Sequence, residues 1–328
     1  MRLAHPPHAD TALAAAGWQA RMTELMLELA PNEGYTQTVI DGVRLIRADR
    51  ALPRQPVLYE PSIVVVCQGT KRGYLDEAVY LYNACHYLVL AAPLPFEAET
   101  LASAQHPLLA ISIRIDLNTA AELALSIGDL ARPASRAAGI CSSPLDDRLA
   151  DAVLRLMKCL GYRNEARVLG AGILREIYFR VLTGENGDSI RAALSHHGHF
   201  ARINRALSRI HGEYDQDLSV SALADEASMS LAAFHAAFKA VTHTSPIQYL
   251  KKTRLHKARL LMVQDGLNAS VAAARVGYES ASQFSREFKR LFGRSPSLEA
   301  AQMSQLLSVV PVDERGARSS SSHYVIVD

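Results

Sequence analysis

Residues 277–290 read GYESASQFSREFKR, and their hydrogen-bonding side chains recur at helical spacing. Gln283 and Arg286 lie three positions apart, so a helix would put them on one face. A glutamine amide can bond N6 and N7 of adenine together, and a guanidinium can bond O6 and N7 of guanine. Ser282 and Ser285 stand beside them, and Lys289 and Arg290 follow one turn later, where phosphates would be met. Ser280 sits where the helix would begin, as an N-cap whose backbone amide can face a phosphate. A solvated polar helix face would have the same composition, so the pattern acquires meaning only from the scaffold that holds it.

Other constellations carry less. SHHGH at 195–199 and HPPH at 5–8 invite a metal reading, but three histidines in an irregular polar segment are the composition of a linker. Between 57 and 117 there is no HxH pair, and His86 and His106 are far apart, so a three-ligand metal site is not visible in the strand-rich region. GxSxG, P-loop and GxGxxG patterns are absent from the sequence. No cofactor or metal is called for. Tyr74, Tyr80, Tyr82 and Arg114 are equally compatible with a ligand cavity, a wall or a surface, so effector-binding residues stay unassigned.

The elements that must position these residues follow from periodicity. Residues 12–30 give an approximate helical stripe closed by Pro31 and Gly34. From about 39 to 117 short β-branched runs alternate with Gly, Pro and Asn breaks, as in a small barrel or sandwich. Within LLAISIRIDL, Ile111, Ile113 and Ile115 point one way and Ser112 and Arg114 the other. From 145 the period becomes helical. Leu145, Leu149, Ala152, Val153, Leu156, Met157 and Leu160 share a face, and a second helix spans about 165–183. This helical hairpin, 145–183, closes the β domain or pairs with a second subunit. GENGDS and SHHGH bracket a polar hinge, which sets residues 1–190 as one domain, 191–200 as linker and 201–306 as a helical domain. The serine-rich end, 307–328, reads as disordered.

Composition sets the outer limits. The 328 residues suit two ordinary domains, and the net charge of +2 is unevenly spread. Residues 201–300 hold 14 Lys and Arg against 9 Asp and Glu, leaving 21 against 24 elsewhere. The local excess is what a polyanion-binding segment needs, although its size only supports a case made otherwise. Cys67, Cys85, Cys141 and Cys159 form no CxxC pair and read as reduced thiols. The N-terminus lacks the apolar core of a signal peptide, and no apolar run approaches the ~18 residues of a membrane span. The expectation is a cytoplasmic protein with no membrane partner.

An internal repeat decides the scaffold. Ser230, Phe234, Phe238, Lys239, Ser245 and Pro246 recur as Ser280, Phe284, Phe288, Lys289, Ser295 and Pro296, with one extra residue in the second turn. Each copy predicts a short helix, a tight turn, a capping serine and a second helix whose i, i+4 phenylalanines pack inward. That is a helix-turn-helix whose second helix suits a major groove. SPIQYLKKTRLHKARLLM (245–262) predicts one long connecting helix that fixes two reading heads about one DNA turn, ~34 Å, apart. In the first head the outward residues are Ala232, His235, Ala236 and Lys239, with Ser230 at the cap. The alanines can meet a thymine methyl but report little sequence, and His235 is the one side chain able to read weakly.

The paired repeat, the connector and VGYESASQFSREFKRLFGRSP together resemble the DNA-binding domain of AraC-type transcription regulators, over about a hundred residues. That family usually has a long polar residue where Ala236 stands here. LYEPSIVVVCQGTKRGYL and EARVLGAGILREIYFRVLTG resemble the sensor half of one branch of the family. The resemblance implies an α+β protein: an N-terminal cupin-like β-barrel with flanking helices, and an all-α C-terminal domain of two helix-turn-helix units joined by a long helix. It also implies an effector-responsive activator that binds double-stranded promoter DNA, contacts RNA polymerase, senses an unknown small-molecule effector and forms a homodimer. The competing expectation is a cupin-type enzyme with an accessory helix-turn-helix region, which the missing metal triad disfavours.

Overall fold

The computed structural model describes residues 9–75, 77–84, 86–127, 139–194 and 199–307. Helix α1 (Ala9–Leu29) precedes nine strands: β1 (Gly34–Gln37), β2 (Val43–Ala48), β3 (Leu52–Tyr59), β4 (Ser62–Gln68), β5 (Thr70–Leu75), β6 (Ala78–Asn83), β7 (His86–Leu90), β8 (Leu94–Leu101) and β9 (Leu108–Arg114). Then come α2 (Leu117–Ile127), β10 (Ile140–Pro144), α3 (Asp147–Leu160), α4 (Arg163–Thr183), α5 (Gly187–Leu194) and α6 (His199–Gly212). The strands form two antiparallel sheets, one ordered β1-β2-β9-β4-β7-β10 and the other β3-β8-β5-β6.

Strand β4, SIVVVCQ, shows why the barrel sequence is so apolar at its centre. Ile63, Val65 and Cys67 pack with Trp18, Met22 and Met26 of α1 and with Leu149 and Val153 of α3. Val64 and Val66 point the other way, into a second cluster with Leu75, Tyr82 and Phe96. A strand covered on both faces loses the alternation of a half-exposed one. On β9 the alternation survives for a different reason. Ile111, Ile113 and Ile115 are buried against the helices, whereas Ser112 and Arg114 line a cavity between the sheets.

Helix α3 buries Leu149, Ala152, Val153, Leu156 and Met157, and Asp146 caps it by accepting from the Leu149 amide at 2.8 Å. The hinge expected at 191–200 is partly helical: α5 runs to Leu194 and α6 begins at His199, with 195–198 outside the described residues. The serine-rich end, 308–328, and Cys85 also lie outside them. Among the described residues no helix is long and apolar enough to cross a membrane, and no group of three or more His, Cys, Asp or Glu is arranged to hold a metal.

The remaining helices are α7 (Val220–Glu226), α8 (Leu231–Thr242), α9 (Pro246–Gln264), α10 (Ala269–Arg275), α11 (Ala281–Phe292) and α12 (Pro296–Leu307). The C-terminal region is therefore two helix-turn-helix units, α7–α8 and α10–α11, joined by α9. With the two sheets it gives the α+β architecture expected from the sequence. The first unit shares its core with the barrel: Phe234, Phe238, Tyr249 and Leu250 cluster with Leu90 and Leu94. The second unit has its own core around Phe284, Phe288 and Phe292.

Candidate nucleic-acid interface and barrel cavity

Both units are built by the same local chemistry. In the first, the Ser219 hydroxyl accepts from the Ala222 amide at 3.1 Å to start α7, and Ser230 accepts from the Ala233 amide to start α8. In the second, Asn268 accepts from Val271 at 3.0 Å and Ser280 from Gln283 at 3.3 Å. Each such cap is worth about 1 kcal/mol. The first turn bends through Ser228 at φ 51°, and the longer second turn through Gly277 at φ 79°. Phe234 and Phe238 sit 5.4 Å apart, as do Phe284 and Phe288, and all four are fully buried. The i, i+4 aromatic pair thus locks each second helix onto its partner and leaves the opposite face outward.

The outward face carries the residues expected from the sequence. Ser230, Ala232, His235, Ala236 and Lys239 are exposed on the first unit, and Ser282, Gln283, Ser285, Arg286, Lys289 and Arg290 on the second, with Ser280 half-buried at its cap. Arg286 makes no hydrogen bond or ion pair among the described residues, so its guanidinium is uncommitted. Gln283 is differently placed: its amide nitrogen donates to Glu287 at 3.2 Å.

Glu287 was not singled out by the sequence, and it organises this unit. Its carboxylate also accepts from Lys251 of α9 at 2.6 Å and from the Tyr278 hydroxyl at 2.7 Å. Burial alone would raise its pKa, but the bonds from Lys251, Tyr278 and Gln283 outweigh that and hold it below the usual range. The fifty-residue repeat contained a signal for it: the equivalent position in α8 is Ala237, so the acid in α11 is an addition. Arg254 was also missed as a builder. Its guanidinium donates to the carbonyls of Tyr214, Gln216 and Gly277, stapling the second turn to the loop after α6.

The connector α9 is buried on more than one side. Leu250, Leu255 and Ala258 are buried, and so are Thr253, His256, Lys257 and Arg259, while Ile247 is exposed. Arg259 pairs with Glu299 at 2.7 Å and reaches Gln55 of the barrel at 3.3 Å. The basic residues of α9 therefore include structural ones, turned into the protein.

The cavity between the sheets is lined by Tyr35, Arg44, Tyr59, Lys71, Tyr82 and Arg114 among others. Tyr82 and Arg114 thus do face a cavity. Tyr74 lines a different pocket, with Pro56, Phe96 and His256, where it lies under the Arg54 guanidinium and donates to Glu99 at 2.7 Å. Tyr80 is not among the lining residues.

Residues 39–189 match the family described as "AraC-type transcriptional regulator N-terminus", and residues 223–299 match "Helix-turn-helix domain". The chain carries the N-terminal domain of AraC-type transcriptional regulators followed by a helix-turn-helix domain. The HTH-type transcriptional regulator AlkR of Acinetobacter baylyi is 37% identical over 94 residues, which is 29% of this chain and 31% of AlkR. The HTH-type transcriptional activator RhaS of Escherichia coli is 32% identical over 96 residues, 29% of this chain and 34% of RhaS. The chain thus spans about a third of the length of these curated relatives. Among solved structures, ToxT from Vibrio cholerae bound to an unsaturated fatty acid aligns over 82% of this chain and 95% of its own, at TM-score 0.53 and 9% identity. ToxT bound to (E)-4-(8-methylnaphthalen-1-yl)but-3-enoic acid aligns over 83% and 100%, at TM-score 0.54 and 12% identity. At such identities the likeness is one of fold.

Proposed function

We propose that this chain is an AraC-type regulator that binds double-stranded promoter DNA in a sequence-specific manner and activates transcription in response to a small molecule. In this reading α8 and α11 enter successive major grooves and α9 sets their spacing. The observation that carries it is the pair of capped helices whose aromatic side is buried and whose other side is exposed and polar. Base readout rests mainly on Gln283 and Arg286, with weaker reading through His235. Ser230, Ala232 and Ala236 make close approach, and Lys239, Ser280, Ser282, Ser285, Lys289 and Arg290 position the helices on the backbone.

Residues 1–190 supply sensing and pairing, and 201–306 supply DNA binding. A small molecule in the barrel is supported by the two ligands named for ToxT. Activation is supported by the description of RhaS as an activator, and it implies contact with RNA polymerase. Homodimerisation through the α3–α4 hairpin is supported by the outer face of α4, where Val168 and Leu169 are 72% and 51% exposed. A ligand favouring one barrel conformation would then shift the population of DNA-competent dimers.

The test is genome-wide mapping of bound sites, followed by binding of the purified chain to the recovered sequence. A shared motif is expected, with an affinity that falls steeply as salt rises, because phosphates supply much of the binding. Sites without a common motif, or an affinity indifferent to salt, would overturn the reading.

A further inference from the structure

The barrel cavity holds an unusual group of polar side chains. Lys71 is only 8% exposed, and among the described residues its ammonium forms no ion pair. It donates to the Tyr59 hydroxyl at 3.0 Å and lies 5.5 Å from the centre of that ring. Tyr82 is 1% exposed, and among the described residues its hydroxyl has no hydrogen-bond partner. Two buried polar groups on one cavity, one cationic and one a free phenol, are costly unless something completes them.

Of the other charged groups at the wall, Arg114 is engaged by Asp41 and Glu60 has an interaction of its own, while half-buried Arg44 makes no ion pair among the described residues and adds positive charge to the cavity. Burial lowers the pKa of Lys71, with the nearby Tyr35 opposing this, so the ammonium is held at a cost that an anion would relieve. Ile46 and Val64 supply apolar wall beside these groups. The buried ammonium and the phenol offer one donor to each oxygen of a carboxylate, and the apolar wall beside them suits the body of an organic acid.

We propose that the cavity is a site for a small organic monocarboxylate, whose charged end is held by Lys71 and the Tyr82 hydroxyl and whose body rests on Ile46 and Val64. The assignment rests on the reading of the barrel as a sensor, and it adds the chemical class of the effector.

The probes are butyrate, hexanoate, octanoate, benzoate and phenylacetate, each beside its primary amide, added to the full chain in a thermal melt. At least one acid is expected to raise Tm while its amide does not. Lys71→Met should weaken that acid's apparent affinity by about tenfold or more, because a charge-assisted bond is lost. Should Lys71→Met fail to fold, Tyr82→Phe provides the comparison, with a smaller loss expected. The proposal is overturned if no acid raises Tm, if acids and amides act alike, or if the response is unchanged in both variants. Promoter affinity of the wild type is read separately with and without the acid. Binding through Lys71 that leaves promoter affinity unmoved would end the sensor reading and leave the acid site standing. An uncharged effector that alters promoter affinity would do the reverse.

Discussion

At the scale of single residues, the two recognition helices are unequal. Arg286 is exposed and uncommitted. Gln283 is tethered to Glu287 and must break or share that bond to meet a base. Arg286→Ala should therefore cost roughly 1–3 kcal/mol on the cognate site and relax preference at one base pair. Fluorescence anisotropy against the cognate site and its single-base variants measures this. Equal weakening on every sequence would make Arg286 a phosphate contact. His235→Ala should lose less preference in the same assay, since its neighbours Ala232 and Ala236 offer no hydrogen bonds. An equal loss would show that the first head reads as strongly as the second.

At the scale of elements, the second turn depends on one glycine. Gly277 has φ 79°, and a Cβ there would lie 2.5 Å from the Asp215 carbonyl oxygen. Gly293, which closes α11, has the same φ but open space around its would-be Cβ. Left-handed backbone costs an alanine roughly 1–2 kcal/mol by itself. Gly293→Ala should lose about that much, and Gly277→Ala clearly more, in chemical denaturation. Equal losses would mean that the loop before α7 gives way freely. The extra residue that makes this turn was legible in the repeat, as were the capping serines and the aromatic pairs, because all are local patterns. Burial of His256, Lys257 and Arg259 was not legible, because it depends on tertiary contacts: Phe292 against His256, Tyr214 against Lys257, and for Arg259 a barrel some two hundred residues away. The cavity was hidden for a related reason. Ser112 and Arg114 alternate with isoleucines as solvent-facing residues would, yet Ser112 is half-buried between the sheets and Arg114, although exposed, stands at the cavity wall.

At the scale of the whole molecule, the barrel and the first helix-turn-helix unit are joined by a polar clasp within an apolar contact. The Tyr249 hydroxyl donates to the Pro93 carbonyl at 2.7 Å and lies 2.7 Å from His211 Nε2. A phenol has one proton, so with that proton on Pro93 the imidazole Nε2–H must donate to the tyrosine oxygen. Burial, aided by the charge of Lys257, pushes the His211 pKa down from 6.5 to about 4. Between those values the unfolded chain binds a proton that the folded chain refuses. The clasp's contribution is therefore complete above pH 6.5 and declines as pH falls toward about 4. Tyr249→Phe keeps the ring against Phe238 but leaves the Pro93 carbonyl and the His211 N–H unpaired, at a cost of about 1–3 kcal/mol. Hydrogen exchange should show faster opening of the strand ends around Ala91 and Leu94 in this variant at neutral pH, and in the wild type as pH is lowered through that window after correction for intrinsic rates. Unchanged protection in both would mean that the apolar contact alone holds the two domains. In that case a signal from the barrel would have to reach α8 through packing and not through this clasp.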